Sequence, residues 1–171
     1  MSYILGLIFA DGSILDVRES SRTCYLHISS NDKSLLEHVR KAMSSNHQIA
    51  SRKPRTVIFR GKPYLCKETY GLRIGNKIIY QDLVNRGLSP RKSLYMTLPF
   101  VPERFFNFFL RGYFDGDGNI SVYLPKGRKV YRIRIAFISG SYDFLYGLSE
   151  RIKRNLKTSS KTLYKAKDAY Y

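Results

Sequence analysis

The sequence predicts an α+β protein of two pseudo-symmetric halves, each with antiparallel strands and helices on one face, the second half shortened. Three observations carry that expectation. The segment Ile4-Leu5-Gly6-Leu7-Ile8-Phe9-Ala10-Asp11-Gly12 is nearly repeated as Leu110-Arg111-Gly112-Tyr113-Phe114-Asp115-Gly116-Asp117-Gly118, which sets Asp11 and Asp117 106 residues apart. Each copy is followed by the same succession of alternating strand, polar cap and amphipathic helix. The 171 residues suffice for two small repeats sharing a core, divided here at 1–100 and 101–171.

Each copy of the nine-residue segment reads as a helix. Gly6 and Ala10 in the first, and Gly112 and Gly116 in the second, stand four apart, so each helix offers a stripe of small residues to another backbone. The two helices are expected to pack together through these four positions. Gly12 and Gly118 are expected as the left-handed residues that stop the helices, with Asp11 and Asp117 in the last turns. The helix dipole is negative there, so two carboxylates brought together at such ends need a cation, and a divalent metal that prefers oxygen suits them. One Asp-Gly pair is an ordinary turn signal; two in the same apolar context are not a coincidence of turns.

The next elements follow in order. Cys24-Tyr25-Leu26-His27-Ile28 alternates like a half-buried strand, Ser29-Ser30-Asn31-Asp32 is a cap, and Leu35 to Met43 is amphipathic. Asn46 to Arg55 reads as a basic loop. Thr56 to Phe59 and Tyr64 to Ile74 read as a hairpin whose turn is Gly61-Lys62-Pro63. Lys77 to Arg86 reads as a helix closed by Gly87, and Ser89-Pro90-Arg91-Lys92-Ser93 as an exposed basic segment. After the second copy, Ile133 to Phe137 is a strand, Ser139-Gly140-Ser141 a cap and Phe144 to Ile152 a helix. A shift of 109 residues lays Cys24, Leu26 and Ile28 over Ile133, Ile135 and Phe137, and Thr23, Tyr25 and His27 over Arg132, Arg134 and Ala136. The apolar sets are expected under helices and the others on an open face. Only 54 residues follow Asp117, and Leu156 to Tyr171 can supply one more strand pair.

Thirty Lys and Arg against thirteen Asp and Glu give +17, spread along the chain, which calls for a polyanionic partner, nucleic acid first. No stretch is long or apolar enough to span a membrane. Cys24 and Cys66 lack CxxC spacing, and His27, His38 and His47 lack zinc-ligand spacing, so the expectation is a reducing intracellular compartment without disulfide or zinc. Met1 opens almost directly into the first helix, so no cleavable signal is expected.

Position by position, Ile4 to Gly12 and Leu110 to Gly118 resemble the LAGLIDADG motif of homing endonucleases of the two-motif, single-chain type. The resemblance implies two αββαββα halves about a pseudo-twofold, with saddle-shaped antiparallel sheets lying along DNA. It implies that Asp11 and Asp117 are the catalytic metal ligands, for Mg²⁺ or another divalent cation such as Mn²⁺. The activity implied is a double-strand break at a long double-stranded DNA site, made by a monomer encoded in an intron more often than an intein. Asp115 matches the motif's non-ligand aspartate, with Phe9 in its place in the first copy, and is read as structural. The Ser-Pro-Arg-Lys-Ser segment is similar to a connector in bacterial members. Three features depart from the pattern: the missing closing helix, the three residues before the first motif, and Ser30-Asn31 and Ser139-Gly140 where a basic residue is usual. The chain is then either a minimal version or a fragment at both ends. Lys33, Lys77 and Lys92 are the alternative active-site cations.

DNA contact is expected from Tyr25, His27, Arg60, Arg73, Lys92, Asn119, Ser121, Tyr123, Arg132 and Arg134. Arginine pairs bidentately with guanine, and asparagine with adenine, in the major groove. Two other functions fit the same fold, an RNA maturase acting on its host intron and a non-cleaving DNA-binding regulator. Retention of both aspartates favours the nuclease.

Overall fold

A computed structural model describes residues 1–15, 23–59, 61–90, 92–157, 162–167 and 169–171. The elements run α1 (Ser2–Asp11), β1 (Gly12–Leu15), β2 (Tyr25–Ser30), α2 (Lys33–Ala42), β3 (Ile49–Arg52), β4 (Arg55–Phe59), β5 (Lys62–Cys66), β6 (Thr69–Gly75), α3 (Lys77–Asn85), α4 (Glu103–Asp117), β7 (Gly118–Tyr123), β8 (Arg132–Phe137), α5 (Tyr142–Leu156), β9 (Lys165–Ala166) and β10 (Ala169–Tyr170). The class is α+β with antiparallel pairing, as expected. The chain packs as two compact units, one of residues 11–82 with Met1, the other of residues 2–10 and 83–171.

In the first unit the sheet order is β1-β2-β6-β3. Register opposes Leu26 to Ile74 and Ile28 to Leu72, so these side chains share one face with Ile14 and are buried. That face is covered by α2, whose Leu36 and Val39 complete the core. Asp32 caps α2 as its sequence position predicts: its Oδ1 accepts from the backbone N–H of Ser34 at 2.9 Å and of Leu35 at 3.3 Å. Two expectations need correction. Part of the basic loop is strand β3, because Ile49 pairs opposite Leu72 and extends the buried face. The long strand from Tyr64 to Ile74 is two strands in different sheets, β5 pairing only with β4 among the described residues. Phe59 opposes Lys62 and Gly61 has φ +75°, so the hairpin turns before Lys62 and Pro63, which belong to β5. Arg60 lies outside the described residues.

The second unit is organised by Ser2–Ala10 of α1 packed on α4. Phe9, Phe109, Tyr113 and Phe144 form its aromatic centre, with ring centroids 5.8 Å apart for Phe9–Phe109 and 4.6 Å for Tyr113–Phe144. Ser141 caps α5, accepting from Phe144 N at 3.3 Å while donating to Met96 O at 2.6 Å. Arg151 lies 4.1 Å over Phe106, bonds Val101 O, and reaches Glu103 Oε2 at 3.0 Å, tying α5 to the start of α4. That bond holds the Glu103 carboxyl below its usual range. Gly87 has φ +92° and closes α3, as expected.

Neither Gly12 nor Gly118 is left-handed, and each opens a strand directly after its helix. Gly118 has φ −85° and ψ 156°, so β7 leaves α4 without a turn. Glycine is still required, because a Cβ would run into the carbonyl oxygen and ring of Phe114. The apolar face of β8 is a second correction: Ile133 and Ile135 are 71% and 63% exposed, against 1% for Leu26 and Ile28. They pair with Val122 and Ile120 of β7, which are exposed as well. Where β2 has β6 on its second edge, β8 pairs only with β7 among the described residues. Beside β8 lies an apolar cleft of about 920 Å³, lined by Ile135, Phe137, Leu145, Leu148, Ile152 and Leu163 among others. After α5 only the β9–β10 pair follows among the described residues.

Candidate nucleic-acid interface and acidic helix ends

The crossing of α1 and α4 is backbone on backbone. A Cβ on Gly6 would collide with Phe109 O and lie 2.7 Å from Tyr113 N; one on Gly112 would collide with Tyr3 O and lie 2.8 Å from Tyr3 C. Ala10 is buried near the end of α1, and Gly116 is half-buried in the last turn of α4. The aspartates end their helices: Asp11, exposed, is the last residue of α1, and Asp117, half-buried, the last of α4. Asp115 faces elsewhere, accepting from Tyr3 Oη at 2.9 Å with Arg111 3.9 Å away. Burial first, then the bond to Asp115, raises the Tyr3 hydroxyl above its ordinary range.

Of the three alternative lysines, Lys33 pairs with Glu37 within α2 at 3.6 Å, and Lys77 opens α3. Lys92 reaches the end of a motif helix. Its Nζ donates to Ile8 O at 2.9 Å, to Phe9 O at 2.6 Å and to Ala10 O, the three carbonyls before Asp11. A cation there offsets the negative end of the helix dipole and satisfies carbonyls that lack helical partners. Sequence reasoning placed Lys92 on an exposed connector, and no local signal links it to residues more than eighty positions away.

Two strand faces carry eight of the ten residues expected to contact DNA; Lys92 turns its ammonium to the α1 carbonyls, and Arg60 lies outside the described residues. On the face opposite the first core lie Ser13, Tyr25, His27, Arg52 and Arg73, with His27 directly opposite Ser13 and Arg73. Burial, then the neighbouring Arg73 and Arg52 charges, lowers the His27 pKa from its ordinary value. In the second unit Asn119, Ser121 and Tyr123 oppose Ala136, Arg134 and Arg132 on one face. The Arg134 guanidinium lies 4.9 Å over the Tyr123 ring. None of β1, β2, β3, β6, β7 or β8 contains an Asp or Glu, so neither face pairs its arginines with acids of its own strands. Among the described residues no three His, Cys, Asp or Glu cluster as a metal site. No described helix is long and apolar enough to cross a membrane.

Fold and site together define a basic α+β protein with glycine-crossed helices that end in aspartates and with arginine-bearing strands clear of acids. Residues 107–170 match the family model of the LAGLIDADG-like domain, and the fold is that of LAGLIDADG homing endonucleases. The LAGLIDADG homing endonuclease I-GzeII in complex with its DNA target superposes with a TM-score of 0.61 at 11% identity, over 99% of this chain and 76% of that one. The homing endonuclease I-WcaI bound to its DNA recognition sequence gives 0.60 at 14%, over 99% and 73%. I-DmoI in complex with DNA and Mn gives 0.53 at 16%, over 99% and 85%. No curated protein matches the chain by sequence.

Proposed function

We propose that the chain is a site-specific DNA endonuclease of the homing type, which hydrolyses phosphodiester bonds on both strands of a long double-stranded site as a monomer with internal pseudo-twofold symmetry. The observation that carries this reading is the pair of glycine-crossed helices, α1 and α4, each of which retains an aspartate as its last residue.

The donor set fits a hard divalent cation such as Mg²⁺ or Mn²⁺. Such ions are held by one or two carboxylates and complete their shell with water and substrate phosphate, so no three-residue protein cluster is required. When bound, the ion supplies an activated water and neutralises charge on the scissile phosphate and leaving oxygen. Asp11 and Asp117 would hold such ions through their carboxylates. Lys92, fixed by α1 carbonyls, places a cation at the helix end that precedes Asp11. Tyr25, His27, Arg73, Asn119, Ser121, Tyr123, Arg132 and Arg134 face the duplex from their strands, and Arg60 is a further contact proposed on sequence alone. Relatives of this fold bound to DNA, one of them with Mn, support the reading, and encoding within an intron is part of it.

The test is cleavage of a plasmid library of random sites in Mg²⁺ and in EDTA, for wild type, Asp11→Asn and Asp117→Asn. Discrete metal-dependent breaks are expected, with nicks or no cleavage from the variants and binding retained. Tight salt-sensitive binding without a break from wild type refutes the nuclease and leaves the maturase or the regulator.

A further inference from the structure

One arginine on the open face of the first unit is held unlike its neighbours. The Arg73 guanidinium carbon lies 3.8 Å from the centroid of the Tyr25 ring. In the β2–β6 register Tyr25 opposes Gly75 and His27 opposes Arg73, so the stack runs diagonally across the strand pair. Gly75 makes room for it: a Cβ there would lie 3.1 Å from Tyr25 Cε1. Gly71 does the same for the second ring, with His27 Nε2 2.9 Å from where its Cβ would be. The two rings therefore lean over β6 at its two glycines, and Arg73 stands between those glycines in sequence.

We infer that Arg73, stacked on Tyr25 in the gap left by Gly75, is a pre-set guanine reader of the first unit, with Tyr25 and Gly75 as its positioning residues. The inference rests on the DNA-binding reading of this face. A guanidinium stacked through its flat face keeps its edge N–H groups available, and that edge matches guanine O6 and N7 in the major groove. No acid on the four strands competes for the same edge. A free arginine loses rotamer freedom when it binds, and the ring orders Arg73 beforehand. The second unit has a looser counterpart. Arg134 lies 4.9 Å from the centroid of Tyr123, whose direct cross-strand neighbour is Arg132 and not a glycine. Its base preference is expected to be the weaker of the two.

The test is selection of double-stranded DNA from a random library by the full chain, comparing wild type with Arg73→Lys, Tyr25→Leu, Tyr25→Phe and Arg134→Lys. Arg73→Lys keeps the charge, so overall binding and its salt dependence are expected to stay. Preference for guanine at one base pair is expected to fall by about ten- to a hundredfold. Tyr25→Leu should weaken preference at that same base pair, and Tyr25→Phe, which keeps the ring face, should preserve it. A general loss of stability would lower all binding and would not select one position. If Arg73→Lys enriches the same site with every guanine intact, or loses a base other than guanine, the inference is wrong while the DNA reading stands. A wild-type pool without any preferred sequence overturns both.

Discussion

Replacing Gly112 by alanine drives a carbon into the Tyr3 carbonyl oxygen, 2.8 Å from Tyr3 C and 3.1 Å from Leu7 N. The Gly6→Ala methyl meets Phe109 O and lies 2.7 Å from Tyr113 N. Comfortable carbon contacts need about 3.5–4.0 Å, so the helices must part by roughly 1 Å. All of these neighbours are backbone, and no rotamer change relieves them. Overpacking of this kind costs about 1–3 kcal/mol, occasionally more, and an unyielding partner puts both sites at the upper end. Alanine returns up to about 1 kcal/mol of helix propensity, which leaves about 2–3 kcal/mol of net destabilisation for either variant. At about 2–4 °C per kcal/mol for a chain of this length, the melting temperature should fall by roughly 4–12 °C. Gly147→Ala is the milder comparison: its Cβ would be 3.2 Å from Leu98 Cβ, a shortfall of a few tenths of an ångström, and it should cost less than either crossing variant. The double variant should lose less than the sum of the singles, since both substitutions open one crossing. Thermal and denaturant unfolding followed by circular dichroism checks all four. Gly6→Ala and Gly112→Ala proteins that unfold at the wild-type temperature or above it would refute the crossing.

Lys92→Met strips the ammonium from the carbonyls of Ile8, Phe9 and Ala10 and should cost about 1.5–3 kcal/mol in denaturant titration; an unchanged midpoint would mean that the contact does not hold α1. His27 has a depressed pKa, set by burial and then by Arg73 and Arg52, so it is neutral near pH 7 in the free protein. DNA phosphates favour its charged form, so affinity should rise as pH falls below the ordinary histidine value of about 6.5, and His27→Gln should flatten that rise. Without DNA the sign reverses: protonation favours the unfolded chain, and stability should fall as pH drops through the same window. Ile133→Thr and Ile135→Thr should each change stability by no more than about 0.5 kcal/mol, because both side chains are exposed, whereas Leu26→Ala should cost about 2–5 kcal/mol in the same unfolding assay.

The doubled helices, the strand-cap-helix units and the two arginine-bearing faces were all legible in the sequence. Each depends on spacing within one element: four residues between Gly6 and Ala10, two between Tyr25 and His27, three from Asp32 to Leu35. Such spacings are set by helix and strand geometry and need no partner to be read. Gly118 was misread for the same reason. An Asp-Gly ending looks locally like a left-handed stop, but the chain enters β7 directly and the Phe114 contact is what demands glycine. Strand β3 was lost in a basic loop because only its pairing with β6 gives Ile49 a buried face.

By itself the sequence determined the α+β class, the duplication with its two acidic helix ends, and which side of β2 and β8 is apolar. Tertiary structure alone decided that Lys92 closes α1, that Tyr25 and not another ring carries Arg73, and that Ile28 is buried while Ile135 is not. Alternation says which face of a strand avoids water, but covering that face takes another strand edge or helix from far along the chain. That pairing depends on three-dimensional contacts between distant residues, and no periodicity within either partner records it.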